Sequence, residues 1–150
     1  KKSKIDDLNK SLILIYTGIH RFSSYVEKDK LKNLEKNINC LDKIKNLTML
    51  FKKELLENKN NENIGQFLND YWELKKRLSL KVTNSKINEI YEEALKSGAT
   101  GGKLIGSGGG GYLLVYCKKR FQNNLKKKLR KLSLINFNFT YEGSKIIFNS

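Results

Sequence analysis

Gly101-Gly102-Lys103-Leu104-Ile105-Gly106-Ser107-Gly108-Gly109-Gly110-Gly111 decides how this chain is read. Seven of these eleven positions are glycine, in a sequence of 150 residues that holds only 11 glycines. The stretch stands between a helical pattern ending near Ser97 and an apolar strand pattern from Tyr112 to Cys117. Such a concentration requires backbone conformations, or an approach to a neighbour, that a Cβ would prevent. Two readings follow from the residues alone: a flexible tight connection between strands, or a nest whose successive N–H groups face a phosphate or other bound group. Context removes two familiar versions of the second. Dinucleotide folds place Gly-x-Gly-x-x-Gly at the first strand-to-helix turn, whereas these glycines come late and no helix directly follows. The phosphate loop Gly-x-x-x-x-Gly-Lys-Ser/Thr is also absent, because Lys103 precedes Gly106 instead of following the glycines.

Working outward, Lys1 to Lys10 is polar and charged and is expected in solvent. Leu12 to Tyr16 (Leu-Ile-Leu-Ile-Tyr) reads as a central strand buried on both faces, ended by Gly18. The polar cluster His20, Arg21, Ser23 and Ser24 follows, placed either for ligand contacts or as a solvated loop with Ser23 or Ser24 capping a helix. From about Leu31 to Asn58 the pattern is helical, with Leu34, Ile38, Leu41, Ile44, Thr48, Phe51 and Leu55 as its stripe. A second helix carries Ile64, Phe67, Leu68, Tyr71, Leu74 and Leu78, closed by Lys75, Lys76 and Arg77 at its carbonyl end. A third helix runs through Ile87, Ile90, Tyr91, Ala94 and Leu95, with Ser85 as its expected cap and Gly98 as its stop.

Beyond that helix, Lys103 to Ile105 forms a short strand, Tyr112 to Cys117 a central one, and Phe121, Leu125, Leu129 and Leu132 one face of a helix. Asn136 to Tyr141 and Lys145 to Phe148 are expected to pair as a hairpin around Glu142-Gly143. The order predicts an α+β domain, helices against one face of a mostly antiparallel sheet. With the helices after the first strand set aside as an insertion, it approaches the ferredoxin-like split βαβ plan.

Thirty basic residues against 15 acidic give a formal charge of +15, which favours polyanions of any kind. Only four of the basic residues are arginine (Arg21, Arg77, Arg120, Arg130), and bidentate recognition prefers arginine, so no specific nucleic-acid partner is expected. No apolar run of membrane-spanning length and no signal-peptide core occurs, so neither a membrane partner nor export is expected, and the setting is cytoplasmic. Cys40 and Cys117 lack metal-ligand spacing, and His20, the only histidine, has no partner recognisable from spacing; no metal site and no catalytic triad follow. The oligomeric state is not fixed by any of these features.

Three landmarks in order carry a resemblance. Leu14-Ile15-Tyr16-Thr17-Gly18 with Arg21 and Ser23, Trp72-Glu73-Leu74-Lys75-Lys76 with Leu78-Ser79, and the glycine stretch resemble the C-terminal half of GHMP-superfamily small-molecule kinases. Within that superfamily the chain is most similar to bacterial kinases of D-glycero-D-manno-heptose 7-phosphate. The glycine stretch resembles the third superfamily motif, Lys-Leu-x-Gly-Ala-Gly-Gly-Gly-Gly, with Ser107 for the usual Ala; His20 stands where Ser or Lys is common. The resemblance implies a sugar-phosphate kinase that makes surface-polysaccharide precursors, with fucose, galactose or mevalonate kinases as alternatives.

It further implies an N-terminal domain, absent from these 150 residues, that carries the ATP phosphate loop and the acidic residues for Mg²⁺ and proton abstraction. No catalytic residue is then expected here, ATP and Mg²⁺ belong to the whole enzyme, and this segment alone is expected to be inactive. Gly106, Ser107, Gly108, Gly109, Gly110 and Gly111 would line the cleft beside the phosphates. Arg21, Ser23, Lys75, Lys76 and Lys103 would be contacts to a sugar phosphate. The competing reading is a freestanding basic module that binds RNA or another polyanion, or a kinase half kept as a regulatory piece.

Overall fold

The computed structural model describes residues 2–20, 23–57 and 60–148. Its elements are α1 (Lys2–Ser11), β1 (Leu12–Tyr16), α2 (Ser23–Lys32), α3 (Leu34–Glu57), α4 (Ile64–Arg77), α5 (Ser85–Lys96), β2 (Ala99–Leu104), β3 (Tyr112–Cys117), α6 (Lys119–Lys128) and β4 (Leu134–Ile135). The strands form one antiparallel sheet in the order β2-β3-β1-β4. With α5 and α6 as crossovers this is the ferredoxin-like order, and α2 to α4 are the insertion after the first strand.

Register decides what each face of the sheet presents. Leu12, Leu14 and Tyr16 of β1 stand opposite Tyr116, Leu114 and Tyr112 of β3, and Lys103 of β2 stands opposite Leu114. Directly opposed residues share a face, so these side chains lie together. The other face carries Ile13, Ile15, Leu104, Leu113, Val115 and Cys117, which are fully buried with Ile87, Ile90, Tyr91 and Ala94 of α5 and Leu125 of α6. This is the main core. The first face is covered only over half its length, where Leu12 and Tyr116 pack with Leu8 of α1 and with Ile64 and Leu68 of α4. Helices therefore flank both faces rather than one, because the insertion brings its own apolar stripe to the second. β1 is internal as expected, but Leu14 and Tyr16 are only half-buried.

Gly65 and Gly101 explain how α4 comes so close to β2. A Cβ on Gly101 would run into the backbone of Gly65, and one on Gly65 into Thr100. Two missing side chains let a helix lie directly on the face of an edge strand. This also corrects the expected strand over Lys103–Ile105. β2 begins at Ala99 and runs through Gly101 and Gly102, so the first glycine pair is strand and not loop.

Five further expectations change. Lys2–Ser11 is a helix, not a solvated tail. Leu8 and Ser11 are buried, and Lys4 Nζ donates to the carbonyls of Glu54 (3.1 Å) and Leu55 (2.8 Å) at the end of α3, where a cation complements the helix dipole. The long helical pattern is α3 and starts at Leu34, not Leu31; Leu31 and Lys32 end α2, and Asn33 between the two helices bonds the Asp29 carbonyl at 2.8 Å with its side-chain amide.

The stripe of α3 that packs is Asn37, Cys40, Ile44, Leu47, Phe51 and Leu55, while Leu34, Ile38 and Leu41 remain exposed. Asn37 and Cys40 win those places because they donate to the Leu78 and Leu74 carbonyls at the C-terminal end of α4. The cap of α5 is Asn84, which accepts from the Ile87 amide at 3.0 Å, and not Ser85.

The expected hairpin does not form among the described residues. β4 is two residues long, and Tyr141, Ile146 and Phe148 stand at least 80% exposed. Only Phe137 packs against the second core. A period-2 pattern makes a strand possible but does not supply the partner that an isolated hairpin needs.

Candidate functional site

Residues 105–111 form the loop from β2 to β3, at the end of the sheet where β1 stops and the first face lies uncovered. Gly106, Gly108, Gly109 and Gly111 have φ of 72°, 112°, 77° and 86°, the left-handed region that side chains resist. The loop is nevertheless firmly held. Thr17, fully buried at the end of β1, bonds the Gly111 carbonyl twice, from its amide (2.9 Å) and from its hydroxyl (2.8 Å). The Gly111 amide donates to Ile19 O at 3.0 Å, the Gly109 amide to Val82 O, and the Ile105 amide to Tyr112 O at 2.8 Å.

Two of the six loop amides from 106 to 111 are therefore spent on the protein. Those of Gly106, Ser107, Gly108 and Gly110 have no acceptor among the described residues. Successive unpaired N–H groups on a fixed backbone suit negatively charged oxygens.

Lys103 lies beside this loop on the half-open face. Its Nζ sits 3.9 Å from the centroid of the Tyr71 ring, and burial pushes its pKa below the ordinary lysine range. No carboxylate lies within ion-pair distance of it among the described residues. A desolvated ammonium without an anion is a costly arrangement that an anionic ligand would relieve. On the same face the Tyr16 and Tyr112 rings touch in a tilted pair with centroids 5.2 Å apart, and Tyr16 Oη pairs with His20 Nε2 at 2.7 Å.

The other expected contacts divide. Lys75 is 3% exposed, and its Nζ donates to Leu104 O (3.0 Å) and Gly106 O, so it meets the loop from beneath. Lys76 pairs with Glu73 at 2.8 Å and lies over Trp72, a surface pair within its own helix. Ser23 is the first residue of α2 and is exposed. Arg21 lies outside the described residues. Lys75 and Lys103 are thus brought to the loop, and Lys76 is not.

Reading the sequence missed Tyr71, Tyr112 and Thr17. Tyr71 and Tyr112 look like ordinary stripe and strand residues until register places them beside Lys103 and Tyr16. Thr17 was only the last residue before a glycine. A surface cleft of about 560 Å³ with Lys4, Lys10, Lys118, Lys119 and Arg120 on its walls lies at the opposite end of the sheet.

Comparison with known proteins matches residues 52–132 to the family described as GHMP kinases C terminal, and the match contains both α4 and the glycine loop. The chain belongs to this family. Among curated relatives, the D-glycero-alpha-D-manno-heptose 7-phosphate kinase of Campylobacter jejuni is 32% identical over 143 residues, covering 93% of this chain and 42% of that protein. This GHMP kinase domain thus spans less than half the length of that relative.

Among solved structures, L. major mevalonate kinase in complex with R-mevalonate superimposes with a TM-score of 0.69 at 20% identity, over 80% of this chain and 37% of that one. A putative sugar kinase from C. jejuni gives 0.58 at 26% identity, over 95% and 40%. The fold expected from the order of elements and the three landmarks is the fold these proteins share. No helix among the described residues is long and apolar enough to cross a membrane.

Proposed function

We propose that this GHMP kinase domain is the C-terminal half of an ATP-dependent sugar-phosphate kinase whose substrate is a heptose 7-phosphate, phosphorylated at its 1-hydroxyl. The observation that carries the reading is the pinned glycine loop, with free amides at Gly106, Ser107, Gly108 and Gly110 beside the unpaired Lys103. Phosphoryl transfer depends on in-line positioning and on neutralising charge, and fixed amides with a desolvated ammonium contribute to both. When bound, ATP supplies the γ-phosphoryl group; the residues here fit its negative oxygens and those of the sugar phosphate. On this reading Mg²⁺ and the base that takes the hydroxyl proton belong to an N-terminal domain, as the family resemblance implies.

Lys103, with Arg21 and Ser23 after β1, forms the proposed contact set for the sugar phosphate; Lys76, paired with Glu73 on its own helix, is left out of it. Lys75 acts on it only through the loop. The corresponding setting is cytoplasmic supply of lipopolysaccharide or capsule precursors, and the domain's partner is its own N-terminal half.

The test is ADP release by the complete polypeptide with heptose 7-phosphate, fucose, galactose and mevalonate as acceptors. Turnover is expected with heptose 7-phosphate and none with the 150-residue chain alone. Turnover confined to mevalonate would overturn the substrate, and turnover by the chain alone would overturn the half-site.

A further inference from the structure

We infer that Lys75 is a positioning residue, which aims the amide of Ser107 out of the glycine loop toward the bound anion. The inference rests on the proposal that this loop faces a phosphate. Lys75 stands in the last turn of α4, 3% exposed, with its stem in the core and its ammonium under the start of the loop. Its Nζ donates to the carbonyls of Leu104, at 3.0 Å, and of Gly106. In a trans peptide the carbonyl of one residue and the N–H of the next point in opposite directions, and no peptide bond among the described residues is cis.

Each carbonyl drawn inward therefore turns the following amide outward from the lysine. For Leu104 the consequence is visible, because the Ile105 amide points the other way and reaches Tyr112 O at 2.8 Å. For Gly106 the same rule turns the Ser107 amide away from the protein, where it has no acceptor among the described residues. The Ser107 hydroxyl is buried, with no hydrogen-bond partner among the described residues.

A lysine suits this task better than a neutral donor. It reaches two carbonyls separated by a residue, and its charge strengthens both bonds. Gly106 has a φ of 72° and no side chain to fix its orientation, so without the ammonium the Gly106–Ser107 peptide is free to rotate. The charge also lies under the anion-facing side, with Lys75 and Lys103 both against the Tyr71 ring.

The experiment compares amide spectra of the ¹⁵N-labelled full chain, Lys75→Met and, as a control on α3, Lys53→Met, each titrated with inorganic pyrophosphate. In Lys75→Met the Gly106 and Ser107 signals are expected to move and pyrophosphate affinity to fall about tenfold or more, with neither effect in Lys53→Met. A folded Lys75→Met whose Gly106 and Ser107 signals superimpose on those of the parent chain overturns the inference.

If Lys75→Met does not fold, hydrogen-bond couplings from Lys75 Nζ to the Leu104 and Gly106 carbonyl carbons decide in the parent chain. Their presence supports the positioning role and their absence overturns it. Failure of pyrophosphate to bind any of the three counts against the phosphate reading of the loop, while the Ser107 shift still decides the role of Lys75.

Discussion

The two ends of the sheet use the same residue type and nearby burial for opposite purposes. At the packed end, Gly101 has lost its side chain so that α4 can touch the strand, and the neighbouring Cys117 and Tyr116 are sealed in cores on either face. At the loop end, Gly111 has nothing within 4 Å of where its Cβ would be, yet its φ is 86°. Gly101 removes volume at one end and Gly111 relaxes torsional limits at the other. Burial divides the same way. It raises the pKa of Cys117, which only has to stay neutral, and lowers that of Lys103, which is held charged-side toward an open face. The packed end is closed by the chain's own side chains, and the loop end presents donors that no described residue uses.

Gly101→Ala is the strongest way to break that contrast. The added methyl meets the Gly65 backbone, which has no flexible end to move aside, so α4 must lift from β2. The expected loss is about 3 kcal/mol, read as a lowered midpoint in urea unfolding. A loss within a few tenths would mean that the helix does not lie on the strand.

How far the two ends could be read in advance also differs. β1, β3 and α5 were legible because an unbroken apolar run or a clear three-four spacing has one cheap solution. α1 was not, because only Ile5 and Leu8 among ten residues speak for an apolar side, and its tie to α3 is made by a lysine. β2 was hidden by Gly101-Gly102, which carry no strand preference and are strand only because α4 covers them. The α3 stripe was read by hydrophobicity, yet Asn37 and Cys40 take buried places by bonding carbonyls of a helix end. The loop was recognised by composition. Which of its amides remain free depends on Val82 and Ile19, distant carbonyls with no sequence mark.

Cys117 sharpens the packed end through pH. Its thiol is pushed from the ordinary 9.0 to about 11 by burial. The folded state therefore keeps the proton at a pH where the unfolded chain has released it. That stabilisation is complete below pH 9 and disappears as pH rises to about 11, on the order of 2 kcal/mol in all. Unfolding midpoints measured from pH 8 to 11 should fall, and fall less in Cys117→Ala. An equal slope in the variant would assign the alkaline loss to the tyrosines Tyr91 and Tyr116, whose pKa values burial also raises.

The smallest effect belongs to the loop end and separates torsion from space. Gly111→Ala adds a methyl that meets nothing, so any cost comes from the left-handed φ alone. About 1 to 2 kcal/mol is expected for a non-glycine residue held there. Gly143→Ala is the matching control, with equally open space and no positive φ, and should stay within about 0.5 kcal/mol of the parent. If both variants unfold together at the parent midpoint, the bonds from Thr17 and Ile19 do not force Gly111 into that conformation, and the loop relaxes when asked. Such a loop would not hold four amides in place for an anion. A cost confined to Gly111 means instead that the backbone is fixed before any ligand arrives, which preorganised donors require.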